Sequence, residues 1–213
     1  MKFSMDQIRS IFSEREKKQD RLNCTMGFVE AAVFIPLIET SEGLSLVFEV
    51  RSSKLSWQPG EISFPGGKVE ASDLDTSYTA LRETSEELGL PVGELSYFGN
   101  LNPFISPLGL VIYPVVGKIE SMAKIVPQEA EVAEVFSVPL DWFLSQEPEK
   151  AMMEMGTRPV DNIPFPLLPE NYSRDWRRRS IYPVYFYSYQ DHVIWGLTAQ
   201  VVRQFLEIIS QKK

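Results

Sequence analysis

Three glutamates, Glu83, Glu86 and Glu87, crowd into five consecutive positions, and a Pro65-Gly66-Gly67 turn lies upstream of them. Carboxylates this close repel one another, so a sequence that gathers them needs something to offset the charge. Hard divalent cations such as Mg2+ take oxygen ligands, and clustered carboxylates supply them. Glycines at 66 and 67 allow a sharp bend and close approach of backbone to a ligand, and Pro65 stiffens the entry. In a helix through this stretch, Glu86, Glu83 and Glu87 fall roughly 140°, 200° and 240° from Leu81. Leu74, Leu81 and Leu88 recur every seven residues and form an apolar stripe on the other side. The expectation is a helix anchored by leucines with three acids pointing outward together. Arg82, four residues before Glu86, is spaced to pair with it and orient it. The same acids would also suit a plain solvated face; the glycine turn ahead of them favours a cation cage.

The elements that must position this helix are mostly strands. Residues 31–38 (AAVFIPLI) and 44–51 (LSLVFEVR) read as two strands joined by a hairpin-like ETSEG connection. Residues 95–104 and 110–119 read as strands around the turn SPLG. Residues 131–140 lead into a short helix near DWFL, and 182–189 with 192–196 suggest a last hairpin before a closing amphipathic helix. Residues 5–18 form a first helix with Ile8, Ile11 and Phe12 on one stripe. Residues 156–180, with Pro159, Pro164, Pro166 and Pro169, read as a long loop, and loops of that length are often functional. Strands and helices alternate without regular βαβ units, which gives an α/β chain of the α+β type.

Composition narrows the function. The 213 residues, 44% of them hydrophobic, suit one domain with a sizeable core, preceded by a helical extension over 1–25. The net charge of −8 argues against general nucleic-acid binding. No apolar run reaches the roughly 18 residues of a membrane span, and the charged N-terminus lacks an apolar leader core. Cys24 is the single cysteine, so an internal disulfide and a Cys-x-x-Cys metal site are excluded. These features together point to the cytoplasm.

The stretch from Gly67 to Leu90 resembles the Nudix signature, in which a glycine, an acid, Arg-Glu, Glu-Glu and Gly follow at fixed spacings. Gly67 and Asp73 stand for its first part, with Asp in place of the usual Glu, and Arg82-Glu83, Thr84, Glu86-Glu87, Leu88, Gly89 and Leu90 complete it. Eight residues rather than seven separate Asp73 from Arg82, a surplus that resembles the coenzyme A pyrophosphatase branch. That branch carries a preceding motif, R-S-x3-R-x3-G-x3-F-P-G-G. Arg51, Ser52, Gly60, Phe64, Pro65, Gly66 and Gly67 match it in register, while Ser56 occupies the second arginine position and Val47-Phe48-Glu49 stands where Leu-Leu-Thr precedes it. The segments SPLGLVIYPVVG, EVAEVFSVPLDWFL and VIWGLTAQVV also resemble later parts of the branch, so the likeness runs over roughly 30–205.

The resemblance implies an α/β/α sandwich around a curved mixed sheet. It implies metal-dependent hydrolysis of the diphosphate of coenzyme A or its thioesters, giving 3′,5′-ADP and (acyl-)4′-phosphopantetheine. The cofactor would be Mg2+ or Mn2+, held by Glu83 and Glu87 with Glu86 alongside and the Gly66 and Gly67 backbone contributing; Arg82 would orient a glutamate. The general base would be Glu131 or Glu134, or a carboxylate within the signature itself. Arg51, Lys54 and Lys68, with Gly66, would meet the substrate phosphates. The alternatives are a Nudix pyrophosphatase for ADP-ribose, dinucleotides or capped RNA, which Ser56 favours, and a non-catalytic nucleotide-binding module, which the retention of all three signature glutamates disfavours.

The remaining chemistry-bearing residues have plainer readings. His192, the single histidine, reads as a strand residue by the last hairpin. Trp142 and Trp195 read as core or core rim. Trp57, beside the glycine turn, could pack or stack on adenine. Arg174, Arg177, Arg178 and Arg179 read as a solvated run or as a phosphate or partner contact. The proline-rich segment could border either the pocket or a homodimer contact.

Overall fold

The computed structural model describes residues 3–13, 27–107 and 109–211. Cys24, residues 14–18 of the expected first helix and most of the expected extension lie outside the described residues. What is described of that first helix, α1, runs Met5–Ser13 and buries Ile8, Ile11 and Phe12 as its stripe requires.

Strands β1 (Val29–Thr40) and β2 (Gly43–Arg51) form the expected antiparallel hairpin, closing at Thr40 and Gly43. Then follow the short strands β3 (Ile62–Ser63) and β4 (Gly66–Lys68), helix α2 (Thr76–Leu88), β5 (Leu95–Asn100), β6 (Phe104–Ile105) and β7 (Leu110–Ile119). β8 (Val132–Pro139) runs into helix α3 (Leu140–Ser145). The large sheet has eight strands, in the order β3-β2-β1-β7-β5 with β4 on β1, β6 on β7 and β8 on β2. β1 and β7 pair in parallel and the other pairs are antiparallel, so the sheet is mixed.

Alternation along the central strands sends side chains to two separate cores. On β1, Ala32, Phe34 and Ile38 face one side, where Ala80 and Leu88 of α2 cover them. Ile35 and Leu37 face the other side, with Phe12 of α1, Phe143 of α3 and Phe205 of α4 (Gly196–Gln211). Helices on both faces of one sheet give the expected three-layer sandwich.

Two expectations change. α2 starts later than the leucine stripe implies, because Asp75 caps it: its carboxylate accepts the Tyr78 backbone N–H at 2.7 Å. Leu74 therefore precedes the helix and is 85% exposed, and the buried face is Thr79, Ala80, Thr84, Glu87 and Leu88. Thr84 tolerates burial because its hydroxyl donates to the Ala80 carbonyl at 2.6 Å. The second change concerns the long loop. β9 (Glu149–Thr157) pairs antiparallel with β10 (Arg177–Tyr189), and β11 (His192–Trp195) completes a second, three-stranded sheet. The loop shrinks to 158–176, with a 3-10 turn at Phe165–Leu167. Most of β9 is exposed on both faces, so no alternation marked it in the sequence.

Candidate active site

The glycine turn is built against β1. Phe34 N–H donates to the Pro65 carbonyl at 2.8 Å, and β4 then pairs with β1 from Val33 and Gly66 to Ala31 and Lys68. Gly66 has φ 154° and lies so close to β1 that an added Cβ would fall 2.6 Å from the Val33 Cα. A Cβ at Gly67 would fall 2.6 Å from both carboxylate oxygens of Glu83. Only glycines let β4 press against the sheet and the acids together.

α2 presents its acids to this turn unequally. Glu87 is 4% exposed, and its Oε2 accepts the Gly66 backbone N–H at 2.8 Å. Burial, followed by the charges of Glu49 and Glu83, pushes its pKa up to about 9, although the Gly66 hydrogen bond and Arg51 oppose the rise. Glu83 is half-buried, and burial raises its pKa against the pull of Arg82. Glu86 lies mostly in solvent. The three acids therefore do not all point outward: the helix turns Glu87 inward because position 87 falls on the buried face with Ala80, Thr84 and Leu88.

Arg82 is clamped. Its Nε and Nη2 reach the two oxygens of Asp73 at 3.1 and 3.2 Å, and its Nη1 lies 2.9 Å from Glu83 and 3.3 Å from Glu86. Asp73 also accepts the Thr79 hydroxyl and the Glu70 N–H. The Arg82 hydrogen bond leads the interactions that hold the Asp73 carboxyl down to about 2. The expected Arg82–Glu86 pair is present, but the bidentate partner is Asp73.

The opposite wall comes from β2. Glu49 is fully buried in this mostly apolar strand. Ser63 Oγ donates to its Oε1 at 3.0 Å. Burial pushes its pKa up to about 7, against Ser63 and Arg51, and the charge of Glu131 adds to the rise. Arg51, two residues on, lies on the same face of the strand. Its Nη2 donates to the Trp57 carbonyl at 3.4 Å, and its buried Nε has no hydrogen-bond partner among the described residues. Gly66, Gly67, Arg51, Lys68 and Trp57 line a cleft of about 250 Å³, closed on its other side by Leu197, Thr198 and Val201 of α4. Lys54 is exposed on the turn after β2. Trp57 is 58% exposed.

The two expected base candidates separate. Glu131, just before β8, lies partly buried where its charge acts on Glu49 and Glu83. Glu134 does not join the cluster. Its ladder partner is Val50, whereas Glu49 faces Val135, so Glu134 projects from the opposite face of the sheet. There its Oε1 lies 3.1 Å from His192 Nε2, and the His192 ring stacks on Phe136 at 3.8 Å. The arginine run is engaged locally. Arg174 lies over Phe165 and Arg177 over Tyr172, Arg178 is 3.8 Å from Glu154, and Arg179 donates to Thr157. Trp195 stacks on Phe186, and Trp142 meets Phe143 edge-on.

Comparison with known proteins decides the family: the model described as "NUDIX domain" matches residues 29–159, more than half the chain. The chain belongs to the Nudix family. Nudix hydrolase 15, mitochondrial, of Arabidopsis thaliana is 35% identical over 179 residues, covering 81% of this chain and 55% of that protein. The peroxisomal coenzyme A diphosphatase NUDT7 of Mus musculus is 42% identical over 113 residues, covering 53% of this chain and 48% of that one. The mitochondrial coenzyme A diphosphatase NUDT8 of Homo sapiens is 33% identical, covering 84% of this chain and 69% of that one. The Nudix chain thus spans about half the length of the first two relatives. Among solved structures, a Nudix hydrolase from M. smegmatis superposes at a TM-score of 0.46 with 21% identity, over 54% of this chain and 73% of that one. No helix of the described Nudix chain is long and apolar enough to cross a membrane.

A divalent cation fits the donor chemistry of this Nudix site. Glu83, Glu87, Glu131 and Glu49 are all hard oxygen donors on neighbouring elements, and the Glu83 carboxylate fills the space that the absent Gly67 side chain leaves. Among the described residues no three acids already stand as a closed ligand set. Glu49 and the Asp73 clamp are the features that sequence reasoning missed. For Glu49 the signal was a charged residue inside LSLVF-E-V, where the resembled motif has threonine.

Proposed function

We propose that this Nudix chain hydrolyses the diphosphate of coenzyme A or its thioesters to 3′,5′-ADP and (acyl-)4′-phosphopantetheine. The observation that carries the reading is Arg51. The coenzyme A-type motif has it at this position, and here its unpaired guanidinium nitrogen sits beside the buried acids and the Gly66-Gly67 turn. Relatives named as coenzyme A diphosphatases support the same reading.

Glu83 and Glu87 would hold Mg2+ or Mn2+, with Glu86 nearer solvent, and the bound cation would supply charge neutralisation at the diphosphate and acidify its water. Gly66 N–H fixes Glu87, and Arg82, itself fixed by Asp73, holds Glu83. Arg51 and Lys68 meet phosphate oxygens, with Lys54 beyond them toward the 3′-phosphate. Glu131 is the base: it takes a proton from the attacking water as the water oxygen bonds to phosphorus and the bridging P–O bond breaks. The two phosphomonoesters leave. The expected cytoplasmic placement and any homodimer contact belong to this same proposal.

A second reading keeps the chemistry and changes the substrate to ADP-ribose, a dinucleotide or capped RNA. Ser56 favours it, because an exposed serine supplies no cation where the motif has a second arginine. Parallel assays of coenzyme A, 3′-dephospho-coenzyme A, ADP-ribose and a diadenosine polyphosphate, with products identified by mass, separate the two. Higher kcat/KM on coenzyme A than on its 3′-dephospho form is expected; indifference to the 3′-phosphate moves the assignment to the second reading.

A further inference from the structure

Two buried side-chain atoms without hydrogen-bond partners among the described residues sit two positions apart on β2: Glu49 Oε2 and Arg51 Nε. Arg51 already has a role in the proposed reaction. Glu49 has none, and packing gives it none. Its neighbours along the strand are Phe48 and Val50, and it faces Val135 across the ladder to β8. The position is fully buried, where an acid is costly unless both oxygens are engaged. Ser63 engages only Oε1. Protonation relieves the buried charge but still leaves Oε2 without a hydrogen-bond partner among the described residues. A cation would satisfy it. Strand alternation turns Glu49 toward the α2 side of the sheet, with Val47, and its charge acts directly on Glu87.

We propose that Glu49 is a further carboxylate ligand of the divalent-cation site, its unpaired Oε2 joining Glu83 and Glu87. The inference rests on the proposed function. β2 then delivers an acceptor for the cation at 49 and a donor for a phosphate oxygen at 51, the two ends of one metal–diphosphate pair. Threonine, which the resembled motif has at this position, could offer a hydroxyl but no charge.

The test is Mn2+ binding to the full chain without substrate, with free Mn2+ read by electron paramagnetic resonance. Wild type, Glu49→Gln, Glu49→Thr and Glu83→Gln are compared, with circular dichroism as the check on folding. Glutamine keeps the acceptor for Ser63 and removes the charge. The expected result is an Mn2+ affinity at least about tenfold weaker in Glu49→Gln, and a smaller rise in Tm on adding Mn2+. Glu49→Thr gives the same answer and decides if the glutamine variant fails to fold. Affinity within about twofold of wild type in Glu49→Gln, while Glu83→Gln loses binding, overturns the role of Glu49 and leaves the cation site standing. Unchanged affinity in Glu83→Gln as well removes the cation site, and with it both proposals.

Discussion

Glu131 and Glu134 are three residues apart, yet they end on opposite faces of the sheet and in opposite physical settings. Glu131 joins a partly dry cluster with Glu49, Glu83 and Glu87, where its charge raises the pKa of Glu49 and Glu83, and theirs raise that of Glu87. Glu134 meets His192 in an exposed pair stacked on Phe136, and solvent screens such a pair. The β2–β8 register decides which is which: Val135 faces Glu49 and Glu134 faces Val50. Acidic residues become chemistry where the sheet hides them from water beside one another, and surface decoration where it does not.

The sharpest way to break this contrast is Glu87→Gln. Turnover at saturating Mg2+ is expected to fall by about a thousandfold or more with the fold intact, because the variant removes a carboxylate ligand of the proposed cation. Near-normal kcat in a well-folded variant, with folding read by circular dichroism, would remove the metal-site reading. Glu131→Gln should cost about a hundredfold in kcat, in the range of a general base. The charge on Glu134 should matter least: Glu134→Gln is expected within about twofold of wild type, at the scale of an exposed pair. A large loss in kcat there would mean that the two faces are not separate after all.

pH sharpens the contrast between those extremes. For Glu49 and Glu87 the folded pKa lies above the ordinary glutamate value, at about 7 and about 9. Between those limits the folded chain binds more protons than the unfolded chain, so the stability of the metal-free protein falls as pH rises from about 5 to about 9. Thermal melts in chelator should show Tm decreasing across that window and a flatter curve for Glu87→Gln. A Tm that rises with pH in wild type would contradict the buried pair.

Local patterns made much of this fold readable. The apolar runs of β1 and β2 and the amphipathic face of α4 announce themselves within a few residues. Legibility failed where the cause lay elsewhere in the chain. Leu74 fits the helical period but loses its place to the Asp75 cap. β9 has no buried face to give it a period, and its identity comes from pairing with β10. In the site, the glycine turn and Glu83, Glu86 and Glu87 are contiguous enough to be read as one motif. Glu49 is not, because its significance depends on Ser63 and Glu87, 14 and 38 residues away.

The Asp73–Arg82 clamp carries a consequence for the spacing of the signature. Aspartate is one methylene shorter than the glutamate it replaces, and the segment between it and Arg82 is one residue longer. Asp73 accepts the Glu70 N–H while both its oxygens reach the guanidinium, so the shorter acid spans the distance across the longer segment. Exchanging Asp73→Glu alone should misplace Arg82 and slow turnover about tenfold. The same exchange with one residue deleted between 74 and 81 should restore part of the rate. With that outcome, reach and chain length act here as a matched pair, and a change in either costs the placement of the guanidinium.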